Sequence, residues 1–222
     1  MKREFKDLFL YAPYDHECLN SEITGDYDKA HAVKCVNGTF VGTEENGVAS
    51  WLGIPFAKPP VGVRRFKAPE YVDESDRVFE ARYYGKRCYG QSEGGDYIQT
   101  LASEDCLNLN IWVNTDDKTE KKPVMVWIHG GAYVDGSGCQ ACYSGANLVQ
   151  AHSDIIMVNI NYRLNMYGFM DFSSVPGGEA FETASCNGLL DQAMALRWVH
   201  ENIAAFGGDP DNVTVFGQSA GG

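Results

Sequence analysis

The chain has 222 residues, 44% of them hydrophobic and 12% aromatic, and carries a formal net charge of −12. That balance supplies a sizeable core and excludes a disordered chain, and the acidity argues against nucleic acid or an anionic membrane surface as partner. The first ten residues, Met1 to Leu10, are broken by charges and lead to no small-residue cleavage site, so they do not read as a signal peptide. No run approaches the roughly 18 apolar residues of a membrane span, and a cytoplasmic location is the expectation. Seven cysteines, Cys18, Cys35, Cys88, Cys106, Cys139, Cys142 and Cys186, read in that setting as free thiols, several of them buried. Cys139-Gln140-Ala141-Cys142 has metal or redox spacing, but a lone pair in a Gly/Ser loop is weak for either. Neither a metal nor a cofactor is expected.

Residues 1 to 30 show no periodicity and form an N-terminal extension; 31 to 222 form the domain. Val33 to Phe40 and Val48 to Ile54 read as short strands. Asn37-Gly38 and Glu45-Asn46-Gly47 supply turns for an antiparallel meander. Residues 70 to 103 are loop-rich. Leu107, Leu109, Ile111 and Val113 alternate with polar or partly polar residues, as in a half-buried strand. Pro123 to Ile128 is continuously apolar, which fits a strand covered on both faces. Leu148 to His152 predicts a short helix and Asp154 to Tyr162 a buried strand, followed by a long loop from Arg163 to Asn187. Gly188 to Phe206 predicts a helix with one apolar stripe of Leu189, Ala193, Leu196, Val199, Ile203 and Phe206. The final strand, Val213 to Phe216, runs into Gly217-Gln218-Ser219-Ala220-Gly221-Gly222. Antiparallel strands followed by strand-helix-strand imply a mixed α/β sheet with its parallel part toward the C-terminal end.

Two motifs carry chemistry. A strand followed by Gly-x-Ser-x-Gly is a nucleophile elbow, in which the chain turns so sharply that neighbouring side chains would clash and the serine hydroxyl stands above the sheet. His129-Gly130-Gly131-Ala132 ends a central strand. Such a loop supplies backbone N–H groups for an oxyanion, and the residue after the serine, Ala220, supplies another.

Further motifs are linked to these two. They are Gly53-Ile54-Pro55-Phe56-Ala57, Arg65-Phe66, Glu104-Asp105-Cys106-Leu107, Asn161-Tyr162-Arg163, Asn187-Gly188-Leu189-Leu190-Asp191-Gln192 and Phe206-Gly207-Gly208-Asp209-Pro210. Together they resemble the N-terminal part of the type-B carboxylesterases, the family that includes carboxylesterases, cholinesterases and bacterial esterases. The resemblance runs from about Val33 to Gly222 and implies an α/β-hydrolase fold with a mixed, mostly parallel central sheet. It implies that Ser219 is a nucleophile forming an acyl-enzyme on a small-molecule ester. It gives the oxyanion hole to Gly131, Ala132 and Ala220. It makes Arg65 with Glu104, and Arg163 with Asp191, buried ion pairs that orient loops. Cys88 and Cys106 match the family's first disulfide in position.

The family's acid and histidine come later in chain order than Ser219. None of His16, His31, His129, His152 and His200 has the context of the catalytic histidine, so this chain alone is expected to be inactive, with the rest of the fold as its partner. Gln218 stands where cholinesterases carry Glu, and Tyr89 to Asp105 holds no tryptophan for a quaternary ammonium. Both disfavour a choline ester. The alternative is a non-catalytic binding or adhesion-type protein on the same fold, though such relatives tend to lose the serine or the oxyanion loop.

Overall fold

A computed structural model describes residues 19–90, 101–117 and 119–222. Most of the proposed N-terminal extension, with His16 and Cys18, lies outside the described residues. Among the described residues, nine strands and three α-helices follow in order: β1 (Ala32–Cys35), β2 (Gly38–Val41), β3 (Thr43–Glu45), β4 (Val48–Pro55), β5 (Val78–Glu80), β6 (Asn108–Asn114), β7 (Lys122–Ile128), α1 (Ala146–Ala151), β8 (Ile156–Ile160), α2 (Asn165–Phe169), α3 (Asn187–Asn202) and β9 (Gly208–Gly217).

The strands fall into two sheets. A small one has the order β1-β2-β5, and the central one has the order β3-β4-β6-β8-β7-β9. The segment from Val33 to Phe40 is the hairpin β1-β2, turning at Val36-Asn37, one residue before the Asn37-Gly38 turn expected from the sequence. The expected meander is divided: its first hairpin belongs to the small sheet and β3-β4 to the central one. In the central sheet β3-β4, β4-β6 and β6-β8 pair antiparallel, whereas β8-β7 and β7-β9 pair parallel. The mostly parallel character expected of the sheet therefore belongs to its β8-β7-β9 half. That half carries the two candidate motifs.

β6 differs from its half-buried expectation, because all seven of its residues are buried. Its asparagines are tolerated there because each finds partners, as buried amides must. Asn110 Nδ2 donates to Asn159 Oδ1 at 2.7 Å, while its Oδ1 accepts from the Gly53 N–H at 2.8 Å. Asn108 Nδ2 donates to Lys86 O and Cys106 O. β7 departs the other way. Val124, Val126 and Ile128 are buried, but Met125 and Trp127 are only half-buried, packed at the side of the cluster that holds Val149 of α1. β9 lies at the sheet edge, with Thr214 and Val215 exposed. Asn212, in the same strand, is exposed at that edge.

The long loop after Arg163 contains α2 and two short 3-10 turns. α3 ends at Asn202 and a 3-10 turn carries the chain on to Phe206. Its buried row is Gly188, Asp191, Ala195, Trp198, Val199 and Asn202, while Leu189 and Ala193 of the expected stripe are exposed. Polar groups explain the rotation. Asp191 turns inward to meet Arg163, Trp198 Nε1 donates to Asn37 Oδ1 at 3.0 Å, and Asn202 Oδ1 accepts from the Val36 N–H at 2.8 Å. Trp198 is fully buried in the main core, so truncating it would cost about 3–5 kcal/mol.

Candidate active site

β7 and β9 are parallel and in register, Ile128 facing Gly217, so their C-terminal ends lie side by side. The Gln218 N–H donates to Ile128 O at 3.4 Å, closing the gap beyond the last pair. Both motif loops leave the sheet at this point.

The elbow follows β9. Ser219 has φ 55°, in the left-handed region, and begins a 3-10 turn through Gly221. The turn folds the backbone back on itself and onto β7. A Cβ on Gly217 would lie 2.0 Å from Gly221 O, and one on Gly221 would lie 2.2 Å from Ile128 O. Only glycine fits at either place. Ser219 is exposed, and among the described residues its hydroxyl has no hydrogen-bond partner.

The loop after β7 is equally constrained. Gly131, Ala132 and Tyr133 have φ of 116°, 55° and 63° in succession, at a cost of roughly 1–2 kcal/mol for each residue with a side chain. Surrounding bonds hold this backbone. Gly131 O accepts from the N–H groups of Val134 and Asp135 at 2.9 and 3.0 Å. The Tyr133 ring packs on Phe169, with centroids 4.7 Å apart. The loop touches the elbow directly: a Cβ on Gly130 would lie 2.2 Å from Gln218 Oε1 and 2.5 Å from Gln218 O. Among the described residues, the N–H groups of Gly131, Ala132 and Ala220 donate to no acceptor.

His129 belongs to this loop and is buried. Its ring stacks on Tyr162 with centroids 4.4 Å apart. Nδ1–H donates to Gly130 O at 2.8 Å, and the Tyr162 hydroxyl donates to His129 O at 2.7 Å. Burial pulls its pKa down to about 4, against smaller upward pulls from the Gly130 carbonyl and Asp135. A neutral imidazole bonded in this way braces the loop. The other described histidines are placed elsewhere. His31 sits between Asp28 and Glu44, His200 bonds Pro210 O, and His152 caps the end of α1.

The two arginine pairs separate in burial. Arg163 and Asp191 are nearly inaccessible, with side chains 3% and 0% exposed. Asp191 accepts from Nε and Nη2 of Arg163 at 2.7 Å each, and from its backbone N–H at 3.0 Å. Burial pushes the Asp191 carboxyl up, and the bonds from Arg163 pull against that. Arg163 Nη1 also donates to Lys67 O. Arg65 and Glu104 are bidentate too, at 2.5 and 2.6 Å, but their side chains are 44% and 18% exposed. The expectation that both pairs are buried is corrected here for Arg65 and Glu104. Arg65, Glu104 and Arg163 line one cleft, with Phe66, Tyr89 and Tyr167.

Cys88 and Cys106 are joined in a disulfide, with Cα atoms 5.0 Å apart, so the free-thiol reading does not hold for these two. Cys139 is buried, with its sulfur 2.8 Å from Ser137 Oγ, and Cys142 is exposed. Among the described residues, no cluster of three His, Cys, Asp or Glu could hold a metal ion. No described helix is long and apolar enough to cross a membrane. Sequence reasoning did not find Tyr162 as a brace, nor Asn165, whose amide reaches the loop at Val134 O. Only the left-handed tolerance of asparagine hinted at the latter.

An elbow serine beside an open row of backbone N–H groups, on a mixed sheet flanked by helices, defines an α/β-hydrolase fold. The sequence profile of the Carboxylesterase family matches residues 29–222, and the chain belongs to that family. It is 50% identical over 188 residues to the para-nitrobenzyl esterase of Bacillus subtilis, covering 83% of this chain and 37% of that protein. It is 41% identical over 194 residues to the acetylcholinesterase of Electrophorus electricus, covering 80% of this chain and 29% of that one. A carboxylesterase structure from Geobacillus stearothermophilus superposes with a TM-score of 0.78 at 47% identity, over 86% of this chain and 38% of the other. The chain thus spans less than two-fifths of the length of these relatives.

Proposed function

We propose that the protein is a serine carboxylic-ester hydrolase working through an acyl-enzyme on Ser219. Membership of an esterase family supports ester hydrolysis in general. The single observation behind the assignment of roles is the meeting of two strained loops: Gln218, next to Ser219 at φ 55°, abuts Gly130, and the three residues after Gly130 also have positive φ. Strain of this kind persists only where surrounding structure over-determines it. In the proposed reaction the Ser219 hydroxyl attacks the ester carbonyl and loses its proton to a general base. The oxyanion is met by N–H groups of Gly131, Ala132 and Ala220. Collapse expels the alcohol, and water then releases the acid. In such reactions, fixed donors aimed at the developing charge contribute more to lowering the barrier than any other single effect.

None of the described histidines bonds the Ser219 hydroxyl, which supports placing the general base, and the acid that orients it, elsewhere. The isolated 222-residue chain is therefore proposed to be inactive, and turnover to belong to a whole protein in which later residues supply both groups. The test is hydrolysis of short-chain p-nitrophenyl esters by the whole protein. Ser219→Ala is expected to abolish turnover and labelling by a fluorophosphonate. Full activity in that variant would end the assignment. A whole protein that neither turns over nor labels would favour a non-catalytic binding role.

A further inference from the structure

The loop from Gly131 to Tyr133 needs support from outside itself, and one residue bonds two successive carbonyls at its end, those of Tyr133 and Val134. Asn165 opens α2 at φ 52°. Its backbone N–H donates to Tyr133 O at 2.8 Å. Its Nδ2 donates to Val134 O at 2.9 Å and to Tyr89 O at 3.3 Å. Tyr89 adjoins Cys88, which is fixed by the disulfide to Cys106. One carboxamide thus joins the strained loop to the disulfide-anchored segment.

We propose that Asn165 is a positioning residue for the oxyanion loop. By holding the carbonyls of Tyr133 and Val134 it sets the direction in which the Gly131 and Ala132 N–H groups point. The inference rests on reading that loop as the oxyanion hole. The residue type fits the task closely. Asparagine tolerates a left-handed backbone better than most residues with a side chain. A carboxamide nitrogen has two hydrogens, one for each carbonyl. Aspartate would turn acceptors toward acceptors. Glycine would keep the backbone conformation and the bond to Tyr133 O but lose both side-chain bonds.

The test uses Asn165→Gly and Asn165→Asp with two readouts. The first is amide exchange in this chain at Val134 and Asp135, which bond Gly131 O, with β8 amides as reference. Loop exchange is expected to rise about tenfold in the glycine variant and more in the aspartate one, with β8 unchanged. No change in the loop, or an equal rise in β8, overturns the proposal. The second readout is p-nitrophenyl acetate hydrolysis by the whole protein. Here kcat is expected to fall about tenfold or more with KM nearly constant, and the aspartate variant to be the slower. A raised KM at unchanged kcat would also overturn it. If the unsubstituted whole protein shows no turnover, the hydrolase reading fails, and the exchange measurement alone still decides whether Asn165 holds the loop.

Discussion

Two arginine–carboxylate pairs stand at one cleft with the same bidentate geometry, and they differ in their access to water. Arg163 and its partner Asp191 on α3 are sealed from water, while Arg65 and Glu104 sit at the rim. In the interior, each charge has given up its hydration and depends chiefly on the other. At the rim, solvent and salt replace whatever a missing partner supplied. The histidines repeat the contrast. Burial holds His129 neutral, whereas the carboxylates of Asp28 and then Glu44 raise the pKa of half-exposed His31. The leverage of a polar contact on this fold is set by its surroundings more than by its geometry.

The largest expected effect lies in the interior. Asp191→Ala leaves Arg163 buried without its counter-charge and should destabilise the chain by about 3–5 kcal/mol, read from urea unfolding. An effect below about 1 kcal/mol would mean that water reaches Arg163, and the contrast would collapse.

His129 gives the next effect, as a pH dependence. Its folded pKa of about 4 lies below the ordinary 6.5. As pH falls through 6.5 the unfolded state takes up a proton that the folded state refuses. The neutral form's contribution is therefore complete above pH 6.5 and is lost progressively down to pH 4, amounting to about 3 kcal/mol. The check is the difference in pH–stability curves between the unsubstituted chain and His129→Phe, which cancels the carboxylates common to both. Parallel curves between pH 6.5 and 4 would refute it.

Much of the site could be read from the sequence because its constraints are local. Gly217 and Gly221 are required by contacts within five residues of Ser219 or with the neighbouring strand end, so the motif spells out its own geometry. Arg163 and Asp191 were paired only through resemblance, since 28 positions separate them. The misreadings share one physical origin. The apolar pattern of α3 pointed to Leu189 and Ala193, but tertiary hydrogen bonds at Asp191, Trp198 and Asn202 rotated the buried face. The polar half of β6 looked solvent-facing, yet Asn110 and Asn159 satisfy each other inside the sheet. Hydrophobic periodicity assumes that polar side chains seek water, and it fails where they find protein partners instead. The burial of one arginine pair and the exposure of the other were illegible for the same reason: both are an Arg and a carboxylate far apart in sequence.

The smallest expected effect completes the contrast at the rim. Glu104→Gln removes the charge opposite Arg65 while keeping an acceptor for one of its two bonds. Arg65 then remains largely hydrated, so the folded-to-unfolded ratio should change by no more than about fivefold at low salt. What remains should shrink further in 1 M salt, where the Debye length is about 3 Å. The matching Asp191→Asn substitution should keep most of its effect in the same salt, because counter-ions cannot enter a site with no accessible surface. Unfolding titrations of both variants at two salt concentrations therefore test the argument without relying on absolute stabilities. Equal salt sensitivity at the two pairs would show that solvent access does not distinguish them.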